Sequence, residues 1–479
     1  MPRPAPVLLW FRRDLRLADN PALLAAVRQG PVIAAYVHDP KAPWMPGAAS
    51  RWWLHHSLSR LADALSALGM PFVFRRGRHA PTIAALAREA GVTAVHWNAL
   101  YDPALAEAET SLAATLGAAG IAAHVHAGGA LLHEPPTTLA TRAGTPFQVF
   151  TPFWNACLER GDPPPPLPGP EALAAPVAAP ESERLTDWGF LPTAPDWAGG
   201  LRATWTPGED GAKAAAHGFL GDGLARYAEA RDRPDVPGTS RLSPYLHFGE
   251  MSPRQLWHMA CGRKGTAPHA AAFLRELGWR EFNHHLLFHF PATVDQPLRP
   301  AFQRFPWRQD KAGFRAWTRG QTGYPIVDAG MRELWHSGFM HNRVRMIAAS
   351  FLVKHLLVPW QRGAAWFWDT LVDADLANNA GNWQWVAGSG ADAAPYFRIF
   401  NPTLQGKRFD PDGTYVRHWV PNLARMPTTH IHEPWRAPAS VLAAAGIALG
   451  TDYPRPIVEH GAARARALDA FAQIRASSS

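Results

Sequence analysis

Short apolar runs alternate with helical patterns over residues 7–125, and this alternation constrains the fold more than any other feature of the chain. The runs that indicate strands are VLLWF (7–11), VIAAYV (32–37), FVF (72–74), AVHW (94–97) and AAHVHA (122–127). The segments between them, such as NPALLAAVRQ, show helical periodicity and end near Gly or Pro. Because parallel strands need crossover helices, the pattern predicts an α/β domain with a doubly wound parallel sheet.

The segment after the first predicted strand is RRDLRLADNP rather than G-x-G-x-x-G, and no Walker A sequence occurs in the chain. The glycines of those motifs let the backbone approach a phosphate closely. We therefore do not expect the sheet domain to hold the main cofactor in the standard way.

The chain has 479 residues, which is enough for two or three domains. We expect an α/β domain at residues 1–130, an interdomain linker at 131–200 and an all-helical domain at 201–479. The linker contains GDPPPPLPGPEALAAPVAAPESE, whose Pro-rich and acidic composition predicts a long connector with little regular structure.

Charge and aromatic content indicate a polyanionic partner. The net charge is +8, and residues after 200 carry 32 basic and 23 acidic groups together with 13 of the 21 tryptophans. Arginines contact phosphates and tryptophans stack on bases, so the combination favours nucleic acid. Genome base composition also enriches Arg, and most tryptophans belong to cores, so these counts leave the partner open.

Two cysteines and no apolar stretch of membrane-spanning length predict a soluble cytoplasmic protein without disulfides. The chain contains no H-E-x-x-H, no Cys–His zinc spacing and no G-x-S-x-G motif. We expect no metal site, and no conventional acid–base or nucleophilic apparatus is visible.

Two segments carry polar stripes at helical spacing. In FLRELGWREFNHHLLFHF, four side chains of this kind share one helix face: Glu276, Trp279, Arg280 and Asn283. In FMHNRVRM, Asn342, Arg345 and Met346 share another. A solvated face with a Glu–Arg pair explains such a stripe, but a tryptophan within it favours a pocket.

Two further segments are suited to holding a polar ligand. GTSRLSPYLHF (238–248) places small hydroxyls and free backbone amides at a helix start, which suits a pyrophosphate or simply a helix cap. DADLANNAGNWQW (373–385) is polar and ends in tryptophans, and its Asp and Asn residues are poor helix-interior residues.

Together, GTSRLSPYL, WREF, TGYPIVDAGMREL, MHNRVRM and NWQW…DAAPYFRIFNP resemble the photolyase/cryptochrome flavoprotein family, in the family's order and nearly end to end. The resemblance implies an α/β domain, a long linker and an all-helical domain that holds FAD folded in a U. It implies that reduced FAD, excited by blue light, passes an electron to a pyrimidine dimer in damaged DNA. The dimer must first leave the duplex.

The resemblance also implies roles for particular residues. It surrounds the diphosphate of FAD with Tyr227, Thr239, Ser240, Leu242 and Ser243. It completes the FAD site with Arg280, Asn342, Arg345, Asp373, Asp375 and Asn379, the last facing flavin N5. It implies an electron-hopping chain from Trp383 through Trp360 to Trp307 at the surface. It implies DNA and dimer contacts from Arg231, Glu276, Trp279, Arg343, Met346, Trp385 and Arg398, with Glu276 on a base edge and the arginines on phosphates.

Discriminating positions favour a cyclobutane pyrimidine dimer photolyase. (6-4) photolyases carry histidines where this chain has Asn342 and Met346, and plant-type signalling cryptochromes usually have Asp where it has Asn379. No long tail is visible after FAQIRASSS, and ELGWREFNHHLLFHF and GAASRWWLHHSL resemble the class III branch. The alternatives are a blue-light photoreceptor without repair, a (6-4) photolyase and, more distantly, a non-flavin single-strand binder.

The antenna pigment is less well defined. Class I folate-binding members carry an Asn–Glu pair after the fourth strand, whereas this chain has YDPALAE there. We expect methenyltetrahydrofolate in another pose, with a deazaflavin or no antenna as alternatives, and Trp52 and Trp53 as either antenna contacts or core. We expect a monomer, without a membrane or protein partner.

Overall fold

The computed structural model describes residues 5–171, 178–263, 265, 267–392 and 398–476. Residues 172–177 of the predicted linker and 393–397 of the DAAPYFRIFNP motif lie outside the described residues.

Five parallel strands form one sheet in the order β3-β2-β1-β4-β5. The strands are β1 Val7–Phe11, β2 Val32–His38, β3 Phe72–Arg76, β4 Ala94–Asn98 and β5 Ala122–His126. The crossover helices are α1 Pro21–Gln29, α2 Ala48–Ala67, α3 His79–Glu89 and α4 Pro103–Ala118. The predicted doubly wound sheet is confirmed, and β1 and β4 are buried along their whole length, as central parallel strands are.

The strand order reverses between β1 and β4, where an open α/β sheet usually has its ligand crevice. Here Arg12 Nη1 lies 2.7 Å from Glu109 Oε1, and Arg13 Nη1 lies 2.5 Å from Asp102 Oδ2. Asn98, the last residue of β4, donates to Asp14 at 2.6 Å. The RRDLR segment thus fills this edge with ion pairs instead of a glycine-lined phosphate cradle.

The predicted linker contains a ten-residue helix, α5 Phe150–Glu159. The expectation of little regular structure is therefore wrong for this part of residues 131–200. The four buried residues of α5 are Phe150, Phe153, Trp154 and Cys157. Their i, i+3, i+4, i+7 spacing gives the helix an apolar face to pack, whereas most of the prolines lie after it.

The described residues after 198 form helices and no named strand, which agrees with the predicted helical part. The α-helices among them are α6 Gly199–Thr204, α7 Glu209–Gly218, α8 Tyr227–Ala230, α9 Ser243–Phe248, α10 Pro253–Cys261, α11 Ala267–His289, α12 Lys311–Thr318, α13 Pro325–Ser337, α14 Asn342–Ser350, α15 Trp360–Thr370, α16 Leu376–Ala387, α17 Pro402–Phe409, α18 Thr414–Trp419, α19 Ala439–Ala445 and α20 His460–Ala476. Within the part of the chain that the structure describes, no helix combines the length and apolar character that a membrane crossing requires.

A buried polar network joins the sheet to the helical part. Asp19 has no exposed surface, and its carboxylate accepts from Arg254 Nη2 and from the Ser252 hydroxyl, both at 2.5 Å. Arg16 donates to the carbonyls of Gly249 at 2.9 Å and Gly129 at 3.0 Å. These contacts fix the segment after β1 against the helices that build the cavity described below. The boundaries at 130 and 200 stay a prediction.

Candidate functional site

A cavity of about 700 Å³ opens into the helical part, within the range of about 300–1,000 Å³ that small-molecule sites occupy. Nineteen side chains singled out by the resemblance line it: Tyr227, Arg231, Thr239, Ser240, Leu242, Ser243, Glu276, Trp279, Arg280, Asn342, Arg343, Arg345, Met346, Asp373, Asp375, Asn379, Trp383, Trp385 and Arg398. The structure thus brings together residues from α8, α9, α11, α14 and α16. Trp307 and Trp360 do not line the cavity.

Asp373 is held from two sides at the floor of the cavity. The Ser243 hydroxyl donates to its carboxylate at 2.6 Å, and Arg345 Nη2 donates to both oxygens at 2.9 and 3.1 Å. Arg345 Nε also donates to the carbonyl of Met340 at 2.7 Å. Because this arginine has two fixed partners, the carboxylate and guanidinium keep their orientation without a ligand.

Asp375 caps the start of α16. Its carboxylate accepts from the backbone and side-chain amides of Asn378 at 2.9 and 2.8 Å. His247 Nδ1 lies 3.4 Å and His284 Nε2 lies 3.5 Å from it. Burial opposes the charged form, but the two histidines outweigh that effect and hold the pKa of Asp375 well below its usual range. The site therefore contains two fixed carboxylates, Asp373 and Asp375.

The amides of α16 are also fixed. Asn379 donates to the carbonyl of Ala364 at 3.1 Å, which orients its side chain at the cavity wall. Asn283 donates to the side-chain oxygen of Asn378 at 2.9 Å and joins α11 to α16. These contacts leave a ligand-facing surface of oriented amides, which suits a flat heterocycle with donors and acceptors on its edge.

The outer wall carries paired charges and two tryptophans. Arg231 Nη1 lies 2.6 Å from Glu276, and Arg343 Nη2 lies 2.8 Å from Asp232. Two of the three arginines predicted to contact phosphates, Arg231 and Arg343, are therefore ion-paired in this structure. Trp279 and Trp385 also line a small neighbouring cavity of about 30 Å³.

The three tryptophans of the predicted electron chain lie in different surroundings. Trp383 is buried, lines the cavity and meets the ring of Phe367 edge-on at 5.0 Å. Trp360 is buried at the start of α15, which packs on α16. Trp307 is only partly buried, with its ring 4.4 Å from Phe305. Trp383 lines the cavity, Trp360, the next member of the predicted route, is buried, and Trp307 is partly exposed, so their surroundings are compatible with the predicted electron-hopping chain. The role of this chain stays a prediction.

Sequence reasoning missed several lining residues, among them Arg241, His247 and Asp392. The guanidinium of Arg241 lies 4.5 Å from the ring centroid of Trp205 and 5.1 Å from that of Phe339. These contacts join residues far apart in the chain, so no local pattern indicates them.

Among the described residues, no group of three or more His, Cys, Asp or Glu side chains is arranged to hold a metal ion.

Two family models match the chain: "DNA photolyase" over residues 7–171 and "FAD binding domain of DNA photolyase" over residues 273–473. A deoxyribodipyrimidine photo-lyase from Agrobacterium fabrum is 50% identical over 98% of this chain and 98% of its own length. The chain belongs to the DNA photolyase/cryptochrome family. Cryptochrome-1 of Arabidopsis thaliana, another member, is 40% identical over 98% of this chain and 70% of its own length.

The solved structures agree with the family. The crystal structure of a bacterial class III photolyase from Agrobacterium tumefaciens matches with a TM-score of 0.96 and 50% identity, and covers 99% of this chain and 98% of that one. The region matched by the FAD-binding model contains α14, α16 and most of α11, which supply much of the cavity wall. The residues present fit FAD, because the cavity combines a hydroxyl-rich segment at Thr239–Ser243, fixed carboxylates and oriented amides.

Proposed function

We propose that this chain is a cyclobutane pyrimidine dimer photolyase of the class III type. Such a carbon–carbon lyase uses blue light to repair DNA. The observation that carries the proposal is that one cavity is lined both by the residues assigned to FAD and by Trp279 and Trp385, assigned to the dimer. When bound, reduced FAD supplies the light-excited electron that opens the cyclobutane ring and recovers the electron afterwards.

The inner residues would hold and orient the cofactor. Thr239, Ser240 and Ser243 offer hydroxyls to the diphosphate, and Asp373 and Asp375 offer fixed acceptors to ribose and flavin donors. Asn379 would face flavin N5, where a neutral amide, unlike an acid, cannot give up a proton. An Asn there favours the reduced cofactor that repair requires.

The outer residues would receive the dimer. Its extrusion from the duplex costs a few kcal/mol, less where the base pair is already distorted. Trp279 and Trp385 offer flat apolar surfaces, Glu276 accepts from a base edge, and Asn342 and Met346 lie between dimer and flavin. Phosphate contacts from Arg231, Arg343 and Arg398 would position the DNA without reading its sequence.

The tryptophans Trp383, Trp360 and Trp307 would carry electrons inward to reduce oxidised FAD. Support comes from the burial of Trp383 at the cavity wall and from its indole ring, which can lose an electron transiently. This route would prepare the cofactor, and two of its members, Trp360 and Trp307, do not line the cavity.

A second candidate is a blue-light photoreceptor without repair, and the 40% identity to cryptochrome-1 favours it. Repair is favoured because one cavity is lined by all five residues assigned to the dimer: Glu276, Trp279, Asn342, Met346 and Trp385. A (6-4) photolyase is less favoured, because Asn342 and Met346 occupy positions where that group has histidines.

The test is dimer loss under blue light. The purified protein should show flavin absorption and, once reduced, should remove a cyclobutane thymine dimer from an oligonucleotide in light but not in darkness. A matched oligonucleotide with a (6-4) photoproduct should stay unrepaired. Flavin binding without light-dependent dimer loss would favour the photoreceptor. Repair of the (6-4) photoproduct alone would favour a (6-4) photolyase.

We also propose a methenyltetrahydrofolate antenna outside the β1–β4 crevice, since Arg12–Glu109 and Arg13–Asp102 occupy that edge. Trp52 and Trp53 are buried, which supports a core role for both. Absorption and mass analysis of the released pigments would identify a folate or exclude it. We propose that the protein acts on DNA as a cytoplasmic monomer.

A further inference from the structure

Phe150 of α5 lies flat against Trp279 of α11. Their ring centroids are 3.7 Å apart and their planes differ by 5°. Phe150 has no exposed surface and does not line the cavity, whereas Trp279 is partly buried and does. One face of the Trp279 indole is therefore covered by a residue of the linker, and the rest of the indole borders the cavity.

Phe150 is itself held in place on several sides. Its ring meets Phe282 edge-on at 5.8 Å and lies 6.3 Å from the nearly parallel ring of Trp154. The guanidinium carbon of Arg275 lies 4.7 Å from its centroid. The two helices approach so closely that a Cβ at Gly278, the residue before Trp279, would collide with the Trp154 ring. The stack is thus a rigid part of the contact between α5 and α11.

The residue two positions before Phe150, Gln148, also contacts Asp392, which is another residue that lines the cavity. The backbone amide of Asp392 donates to the carbonyl of Gln148 at 3.1 Å. Asp392 lines the cavity and has φ of 50°, a conformation that needs such local support. Residues 148–150 therefore contact both Trp279 and Asp392.

We propose that Phe150 is a positioning residue for lesion recognition, which fixes the plane of the Trp279 indole against which the dimer packs. The inference rests on the proposed function and deepens it. An indole free to rotate about its side-chain bonds would have to be ordered when the dimer enters, and that entropy cost lowers affinity. A stacked partner restricts those rotations before DNA binds, as a supported recognition site requires.

The experiment is a double-mutant cycle with Phe150→Leu and Trp279→Ala, measured as affinity for a thymine-dimer oligonucleotide and for its undamaged counterpart. The matched control is Phe153→Leu. Phe153 is equally buried on α5, but its ring neighbours are Phe147, Phe282 and His285. Flavin content and the melting midpoint report folding. Phe150→Met, which keeps a similar volume without a flat face, serves as a second variant.

Phe150→Leu and Phe150→Met should lower the preference for dimer DNA by about two- to tenfold, the range that a stacked aromatic pair contributes. Affinity for undamaged DNA and flavin content should stay unchanged, and the loss should disappear in the Trp279→Ala background. Phe153→Leu should leave the preference unchanged in both backgrounds.

An unchanged preference in both Phe150 variants, or an equal loss in the wild-type and Trp279→Ala backgrounds, would overturn the inference while the proposed function stands. A wild-type protein without preference for the dimer would overturn the proposed function, and the inference with it.

Discussion

The carboxylate of Glu276 and the guanidinium of Arg231 form an ion pair in the outer wall of the cavity, with 2.6 Å between Oε1 and Nη1. Burial lowers the pKa of Arg231, but the attraction of Glu276 outweighs that effect and raises it, so the side chain is cationic. Glu276, which is assigned to a base edge, therefore neutralises Arg231, which is assigned to a phosphate, before DNA binds.

Glu276→Gln should release Arg231 to a phosphate. We expect affinity for undamaged DNA to rise about two- to fivefold, because a partly exposed ion pair contributes roughly 0–1 kcal/mol. The affinity for DNA should also fall more steeply with salt concentration, by a slope that corresponds to about one additional phosphate contact. Affinities over a salt series measure both effects. Asp232→Asn, which frees Arg343 without changing Glu276, is a matched second variant and should steepen the salt slope in the same way. An unchanged salt slope in Glu276→Gln would refute the expectation.

Trp383→Phe should block light-driven reduction of oxidised FAD and leave repair by pre-reduced protein nearly intact. The physical reason is that Phe cannot relay an electron as an indole does, while the shape of the buried site is largely kept. Flavin absorption under blue light and dimer loss in single-turnover assays measure the two activities. Trp368→Phe, on the same helix as Trp360 but away from the cavity wall, is the control. Equal loss of both activities would contradict the separate roles.

The sheet could be predicted because a parallel α/β domain repeats one signal, an apolar run followed by a helical pattern. Helix α5 could not be seen from composition, because the prolines of residues 131–200 dominate it. The helical spacing of Phe150, Phe153, Trp154 and Cys157 was the signal that could have found it. A local apolar pattern is more informative than average composition over a whole connecting segment.

The candidate site could be predicted as a set of residues, but not as a geometry. Asn378, Asn379 and Asn382 are poor helix formers, yet they lie within α16. Asp375 caps the helix, and tertiary hydrogen bonds to Asn283 and Ala364 outweigh the weak propensity. Arg241 could not be found from local sequence, because its contacts with Trp205 and Phe339 depend on the folded chain.

Asp19→Asn should destabilise the junction between the sheet and the helical part. The change leaves Arg254 buried without its counter-charge, and breaking a buried pair costs about 3–5 kcal/mol. Urea denaturation would measure the free energy of unfolding. Asp187→Asn removes a similar but exposed pair with Arg184 and should have no measurable effect. Similar stability of the two variants would show that the junction is not held by this ion pair.

The contribution of Glu250 to stability should fall as pH rises from about 4.5 to about 8. Burial raises the pKa of Glu250 from 4.5 to about 8, so the folded state binds the proton more tightly than the unfolded state over this range. Burial also raises the pKa of Glu281, to about 7, and adds in the same direction. Relative to the wild type, Glu250→Gln should gain stability as pH rises, measured as urea midpoints at pH values of about 5, 7 and 9 that bracket this range, whereas the exposed Glu89→Gln should show no such gain. A loss of stability in Glu250→Gln relative to the wild type as pH rises would contradict a raised pKa of Glu250.

Trp279→Ala and Arg343→Ala should separate lesion recognition from backbone binding. Base–aromatic stacking contributes roughly 1–3 kcal/mol per base, so Trp279→Ala should weaken dimer DNA about ten- to hundredfold and undamaged DNA far less. Arg343→Ala should weaken both DNAs similarly and reduce the salt slope by about one, because a phosphate contact carries no information about damage. Its partner Asp232 is substantially exposed, so removing the arginine leaves no buried charge. Affinities across a salt series decide between the two roles. If Trp279→Ala weakens both DNAs alike, the stacking surface lies elsewhere in the cavity.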